Sequence, residues 1–218
     1  MRTNKVHWGY SFIIVLFAFI QYSNTLGHAY AWDDKIVIEE NDRVQEGFSG
    51  IPELFKKYNS DLRQDQYGYR PVTLITFAIE YELSKGEPGL SHFMNILYFA
   101  ALCLVLFLLL KRLFYKYSPL LPFLVTLLFT VHPIHVEVVA NIKSRDEILA
   151  LLFCLISLIH LLKFYELRKW KYLVYTIVFF ILGFLSKENA IVFLLIYPLT
   201  LFKVIDTSWK RILKITAI

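Results

Sequence analysis

Cysteine is nearly missing from this 218-residue chain: only Cys103 and Cys154 carry thiols, and both fall inside apolar runs. They read as buried small hydrophobes, not as a disulfide or a metal-binding pair. Internal repeats and low-complexity tracts are lacking as well. Charge is scarce in a patterned way. Only 19% of residues are charged, and almost none of these lie within six apolar stretches, roughly 8–26, 92–110, 119–133, 147–162, 172–185 and 190–205. The third and fourth stretches are short, and the fifth and sixth run close together across 186–189. With 57% hydrophobic and 17% aromatic residues and a mean hydropathy of +0.51, the chain is too apolar for an ordinary soluble domain. A membrane-spanning helix needs about 20 mostly apolar residues. The expected fold class is therefore an all-α integral membrane protein with about six transmembrane helices.

The formal charge of +5 is placed by topology. Arg2 and Lys5, then Lys111, Arg112 and Lys116, then Lys163, Arg168, Lys169 and Lys171, then Lys203, Lys210, Arg211 and Lys214 sit just beyond the ends of apolar runs. The two short loops of the opposite set hold only Lys143, Arg145 and Lys187. The positive-inside rule then puts the amino terminus and the 111–118, 163–171 and 203–218 segments in the cytoplasm. Such a distribution signals membrane orientation, not nucleic-acid binding. Residues 27–91 face outward on this scheme and carry twelve acidic against seven basic side chains.

Four regions follow: a cytoplasmic tail and first span over 1–26, an extracytoplasmic loop over 27–91, transmembrane helices two to six over 92–205, and a cytoplasmic basic end over 206–218. Met1–Lys5 with Ala29-Tyr30-Ala31 downstream imitates a cleavable signal peptide. However, the apolar run ends near Ile20, well short of that site, so it reads as a retained first span. In the outer loop, Phe48, Ile51, Leu54, Phe55 and Tyr58 have helical spacing, with Pro52 near the start. Tyr69-Arg70-Pro71 opens a second apolar-periodic stretch through Val72, Ile75, Phe77, Ile79 and Leu83. Both read as interfacial helices packed against the spans. Ser84–Gly89 is a turn cluster. The chain stops at Ile218 midway through an apolar segment, as a fragment or an unusually small protein would.

Most residues able to do chemistry fall on the outer face. Asp33 and Asp34 follow the first span; in an extended segment they point opposite ways, one toward the bundle as base or ligand, the other capping the next helix. An ordinary acidic loop start is the competing reading. His132, His135 and Glu137 close the third span, and Arg145, Asp146 and Glu147 open the fourth. Ionisable groups at membrane depth are costly and usually functional. His132 and His135 have metal-ligand spacing with Glu137 as a third ligand, but Pro133 breaks any helix there, so a polar cavity lining competes with a metal site. Ser186 as an N-cap, with Asn189 three residues on, would expose backbone N–H groups beside Lys187 as a phosphate site; a tight turn with an ion pair fits equally. Arg70, held extended by Pro71, could meet a lipid phosphate or Asp65. His92 and Asn95 share one helical face. His160 is interfacial.

Taken in order, Trp32-Asp33-Asp34, Tyr69-Arg70-Pro71-Val72-Thr73, Ser91-His92-x-x-Asn95, His132-Pro133-Ile134-His135-Val136-Glu137-Val138-Val139-Ala140, Ser144-Arg145-Asp146 and Ser186-Lys187-Glu188 resemble a family. They look like the amino-terminal half of the transmembrane and tetratricopeptide-repeat O-mannosyltransferases and their bacterial relatives, GT-C glycosyltransferases. Protein O-mannosyltransferases and aminoarabinose lipid A transferases are more distant cousins. The resemblance covers about residues 8–200. It implies a shared module of about seven spans and a polyprenyl-phosphate-linked sugar donor, commonly dolichyl-phosphate mannose, entering from the bilayer. It implies an acid at Asp33 or Asp34, donor-phosphate cations at Arg145 and Lys187 with Arg70, and a cavity lined by His92, Asn95, His132, His135, Glu137, Asp146 and Glu188. The family has more spans, and helical repeats that hold acceptor protein, beyond the stretch that this sequence resembles.

The expected activity is inverting transfer from that donor to an acceptor hydroxyl, on protein or glycan, at the extracytoplasmic face of a multi-pass protein of a bacterial inner membrane or endoplasmic reticulum. A divalent metal is compatible with this reading but not required by it. The rivals are a transporter or flippase of a lipid-linked or anionic solute, and a non-catalytic membrane subunit. Polar residues gathered at one face, not at mid-membrane, count against transport.

Overall fold

The computed structural model describes residues 2–56 and 67–205, and the regular structure of those residues is helical. Helix α1 (Arg2–Tyr22) leads through a 3₁₀ turn into a cap of short helices: α2 (Trp32–Val37), α3 (Asp42–Gln45) and α4 (Ile51–Leu54). The longer α5 (Pro71–Ser84) follows, then α6 (Pro88–Leu113), α7 (Leu120–Thr130), α8 (His135–Ala140), α9 (Arg145–Leu167), α10 (Trp170–Ser186) and α11 (Phe193–Ile205). Proline opens both α5 and α6, where its missing N–H is harmless and its fixed φ suits a first turn. Helices α5 and α9 stop at Lys85 and Arg168, both left-handed, with φ of 55° and 54°.

Among the described residues, three helices are long and apolar enough to cross a membrane: Trp8–Gly27, Pro88–Leu113 and Ile142–Leu167. Among the other stretches expected to span, α7 has 11 residues and α10 has 17. At 1.5 Å per residue these reach about 17 and 26 Å, short of a hydrocarbon core of about 30 Å. They pack beside the long helices, α10 on α9 most extensively. Contacts at both ends show that α6 and α9 run parallel. Arg145 at the start of α9 donates to the Ser91 carbonyl at the start of α6, and Arg112 pairs with Glu166 at 2.6 Å at their far ends. Helix α1 runs the opposite way along α6, with Tyr22 edge-on to Phe99 and Tyr10 edge-on to Phe107. Its buried stripe is Ile14, Ala18 and Tyr22, four residues apart; Trp8, Phe12, Phe17 and Ile20 are exposed on the other side.

The cap has a core of its own. Val37, Ile38, Val44, Leu54, Leu74, Phe77 and Ala78 pack with Ile142 from the segment before α9. The apolar periodicity from Val72 to Leu83 is realised as α5. The continuous helix expected from Phe48 is not: its described part is a 3₁₀ turn over Gly47–Gly50 followed by one α turn. Two glycines shape the turn that stands there. Gly47 has a φ of +61°, and a Cβ on Gly50 would lie 2.0 Å from the Arg43 carbonyl oxygen. Tyr58, Asp65 and the basic end over 206–218 lie outside the described residues.

The α9–α10 seam is built from small residues that let backbones approach. A Cβ on Gly183 would lie 3.0 Å from Cys154 Sγ and 3.2 Å from the Ala150 carbonyl oxygen. Ser157 Oγ donates to the Thr176 carbonyl at 2.7 Å and accepts from Tyr197 at 2.9 Å. Gly183→Val should push the two helices apart and destabilise the chain by about 1–3 kcal/mol. Adding Cys154→Ala should restore part of that loss, read as the midpoint of thermal unfolding in detergent.

Candidate functional site

Helix α9 starts at the head of the bundle, and its first two residues face different neighbours. Arg145 turns inward and is fully buried. Its Nε donates to Asn95 Oδ1 at 2.6 Å, Nη1 to Thr76 Oγ1 and to the Glu80 carboxylate, and Nη2 to the Ser91 carbonyl at 2.9 Å. Its guanidinium carbon lies 4.4 Å from the Phe77 ring centroid and 5.5 Å from that of Tyr98. With four N–H groups engaged and no surface exposed, Arg145 has no face open to a donor phosphate. The expectation that it binds one is corrected by this geometry, which makes it the joint between α5, α6 and α9. Asn95 likewise faces the interior: its amide donates to the carbonyls of Val139 and Asn141. His92 is buried edge-on to exposed His28.

Asp146 turns the other way, into a cluster of charges. Arg70 pairs with Asp146 and with Glu188, the latter at 3.0 Å; Lys187 sits 3.3 Å from Asp146 and 2.8 Å from Glu147. Asp146 is buried beneath the two cations, whereas the Glu188 and Glu147 side chains are 61% and 44% exposed. Burial works to lower the pKa of Arg70, but hydrogen bonding to Glu188 and the charge of Asp146 hold it above its usual value. Hydrogen bonding to Arg70 in turn keeps Glu188 below the ordinary carboxylate range. Tyr67 lies under this cluster, its ring 4.7 Å from the Arg70 guanidinium, and burial raises its pKa well above the usual value.

Lys187 was expected to follow a Ser186 N-cap; the structure places Ser186 in the last turn of α10 instead. Its hydroxyl donates back to the Leu182 carbonyl at 2.8 Å, a common habit of serine inside helices. The 3₁₀ turn that follows has no side-chain cap. Phosphate affinity at this point would therefore rest on side-chain cations, not on a capped helix start.

Below the charges lies a cavity of about 350 Å³ between α6, α7, α8 and α9. Phe99, Phe129, Leu151 and Phe193 line its apolar walls, with Glu147, Asn189 and His135 as its polar lining. Of the residues expected to line a cavity, His135 does so, and Asp146 and Glu188 belong to the charged cluster beside it. His132 and Glu137 are exposed on the surface, and His132 accepts from the Ile134 N–H. Among the described residues no three of His, Cys, Asp and Glu converge as a metal site.

The two aspartates are not in an extended segment, as their position suggested, but in the first turn of α2. Asp34 both faces inward and caps α2: it is buried, accepts from the Ala31 N–H at 3.0 Å, and accepts from the Lys143 N–H at 2.7 Å. Burial outweighs those bonds and raises its pKa. Asp33 is exposed, its carboxylate 3.1 Å from Lys143 Nζ. Glu80, Tyr67 and Lys143, not singled out from the sequence, complete the site. The advance signal was Glu80, a carboxylate in the mostly apolar stretch that forms α5, though Glu82 in the same stretch gave the same signal and lies outside the site.

Residues 73–218 match the model of a family described as dolichyl-phosphate-mannose-protein mannosyltransferase. The chain is 32% identical over 82% of its length to the protein O-mannosyl-transferase F38B6.6 of Caenorhabditis elegans. It is 27% identical over 82% of its length to the protein O-mannosyl-transferase Tmtc1 of Drosophila melanogaster. To the human protein O-mannosyl-transferase TMTC3 it is 30% identical over 62% of its length. It spans 26%, 21% and 15% of those three proteins respectively. No solved structure matches the chain.

Two outcomes follow from the site itself. Glu80→Gln or Arg145→Met alone leaves a buried charge unpaired and should destabilise by about 3–5 kcal/mol, whereas the double variant should lose less than the sum; a thermal-unfolding double-mutant cycle reads the coupling. His135 behaves differently with pH. Burial, with His132 nearby, lowers its pKa from 6.5. The folded state therefore resists a proton that the unfolded chain accepts, so stability held at neutral pH is lost as pH falls through 6.5. His135→Phe should flatten that loss in melting curves taken from about pH 8 to about pH 5.

Proposed function

This chain belongs to the dolichyl-phosphate-mannose-protein mannosyltransferase family, and on that premise we propose that it forms the donor-binding and catalytic part of a membrane protein O-mannosyltransferase. The donor is a polyprenyl-phosphate-linked mannose whose tail reaches the apolar cavity and whose phosphate meets Arg70 and Lys187. The acceptor is a hydroxyl on a protein, approaching from the extracytoplasmic side. The observation that carries this reading is the convergence of Arg70 and Lys187 on buried Asp146 beside an apolar cavity.

Both cations are already paired, and the pairs differ in how easily they open. Asp146 is buried and keeps the two side chains aimed at one point. Glu188 and Glu147 are exposed, so water can receive their carboxylates when a phosphate takes their place. Arg70 and Lys187 are themselves only 12% and 14% exposed, so the exchange replaces one charge-assisted pair by another and leaves neither cation unpaired. As the C1–O bond to phosphate breaks, the phosphate leaves with the electron pair. Arg70 and Lys187 offset the charge that develops on it.

Asp33 is the base in this scheme. Its carboxylate is reachable, whereas both oxygens of Asp34 are held by backbone N–H groups. The acceptor oxygen attacks C1 from the face opposite the phosphate, giving inversion, and its proton passes to Asp33. An ordinary carboxylate suffices, because the hydroxyl becomes acidic only as the new bond forms. Family membership favours this transfer over movement of an anionic solute. The amino terminus is cytoplasmic and the protein multi-pass on this reading, in keeping with the basic residues at the far end of the bundle.

Transfer from dolichyl-phosphate mannose to an acceptor peptide tests these roles. Asp33→Asn should lower kcat by about 10²–10⁴-fold with the melting temperature kept. Lys187→Ala should lower kcat/KM for the donor by about 10²–10³-fold. Asp34→Asn, which leaves one backbone N–H without its acceptor, should instead lose about 1–3 kcal/mol of stability. Full activity in Asp33→Asn would remove it as the base.

A further inference from the structure

Lys143 uses every polar group it has to tie the two halves of the site together. Its ammonium lies 3.1 Å from Asp33 Oδ2, its backbone N–H donates to Asp34 Oδ1 at 2.7 Å, and its carbonyl accepts from the Tyr67 hydroxyl at 2.9 Å. Tyr67 in turn carries the Arg70 guanidinium over its ring at 4.7 Å. A continuous path of contacts therefore runs from Asp33 through Lys143 and Tyr67 to Arg70. The sequence positions it joins lie far apart, and the acids of α2 have no comparably direct tie to the charged cluster among the described contacts. Lys143 stands in the 3₁₀ turn over Ile142–Ser144, directly before Arg145. The buried end of α9 therefore fixes its backbone.

We infer that Lys143 is a positioning residue for transfer: its ammonium fixes Asp33 Oδ2, so that Oδ1 is presented to the acceptor hydroxyl in register with the cluster that takes the donor phosphate. The inference rests on the reading of Asp33 as base. Stability does not account for the contact. The Lys143 and Asp33 side chains are 30% and 53% exposed, a setting in which an ion pair adds little to folding. What the pair can do there is restrict an otherwise mobile carboxylate. Displacements near 1 Å at a reacting group cost on the order of 100-fold in rate. The main-chain bonds of Lys143 are independent of its side chain, so removing the ammonium leaves Asp34 and Tyr67 held.

The test uses the full chain purified in detergent, with dolichyl-phosphate mannose and an acceptor peptide. Lys143→Met should lower kcat on the order of 100-fold while the donor KM and the melting temperature stay at wild-type values. Lys143→Arg, which keeps the charge and a donor, should recover most of the rate. A side-chain replacement made after folding separates positioning from structure. Lys143→Cys should be slow, and alkylation with 2-bromoethylamine, which rebuilds an ammonium at nearly the same reach, should restore transfer. Cys103 and Cys154 are buried and leave the new thiol as the reactive one.

Wild-type kcat in Lys143→Met overturns the inference. So does a folded Lys143→Cys whose slow rate does not recover on aminoethylation. Should Lys143→Met fail to fold, the modified Lys143→Cys decides by itself. Asp33→Asn, assayed alongside, keeps the two claims apart. If that variant is fully active, the assignment of the base has failed. If it is dead while Lys143→Met is fully active, only the positioning role has failed.

Discussion

A fully buried guanidinium at the head of the bundle is the constraint on which the rest of the site depends. Taking Arg145 out of water is unfavourable by several kcal/mol unless its N–H groups are satisfied and its charge is offset. Two helices supply what is needed: Thr76, Glu80 and the Phe77 ring from α5, and Ser91, Asn95 and the Tyr98 ring from α6. Because the partners are divided between α5 and α6 while Arg145 belongs to α9, the arrangement forms only when the three helices are docked on one another. The short helices α3 and α4 pack on α5, so their position relative to the spans is fixed by the same bonds. Asp146 then inherits its direction from its neighbour: with Arg145 turned inward, the next residue on α9 faces the cluster holding Arg70 and Lys187.

Much of the frame was legible in the sequence. Uninterrupted apolar runs marked α1, α6 and α9, and Pro71 followed by Val72, Ile75 and Ile79 marked α5, because helical period and proline at a first turn are local signals. Other features were hidden for specific reasons. Asp33 and Asp34 looked extended since Ala31 has no capping side chain; the reach-back bond from Asp34 to the Ala31 N–H supplies half of a capping box and makes the turn helical. Ser186 carried the composition of an N-cap, but the preceding helix ran on to include it and took its hydroxyl. The most consequential pairing, Arg145 with Glu80, joins positions 65 apart. No single-sequence pattern encodes a contact at that range, so Arg145 was assigned to the ligand when it belongs to the frame.

The acidic residues of the site fall into two groups, and burial divides them. Glu80, Asp34 and Asp146 are buried and engaged with Arg145, backbone N–H groups, or the cation pair. Asp33, Glu147 and Glu188 are exposed, each paired with one cation that a second residue or water can also satisfy. A carboxylate of the first kind cannot change partners without stranding a charge in a low-dielectric setting. One of the second kind can do so at small cost. Chemistry that requires proton transfer and the exchange of a phosphate for a carboxylate is open only to the exposed group.

On the proposed reading, in which a donor phosphate is the ligand, this division lets a site with more acids than bases accept an anion. In the empty state Arg70 and Lys187 face Asp146, Glu147 and Glu188, and the local balance is negative. Were all three carboxylates buried, a phosphate would meet repulsion with no relief. Because two are exposed, their charges are screened by water and can swing outward. What faces the ligand is then two cations aimed by one fixed anion. Such a site holds its cations in place without a ligand, avoiding the reorganisation that free side chains would undergo on binding. It also discriminates by charge density, since a neutral lipid cannot displace Glu188 from Arg70, whereas a phosphate offers the guanidinium an equivalent acceptor.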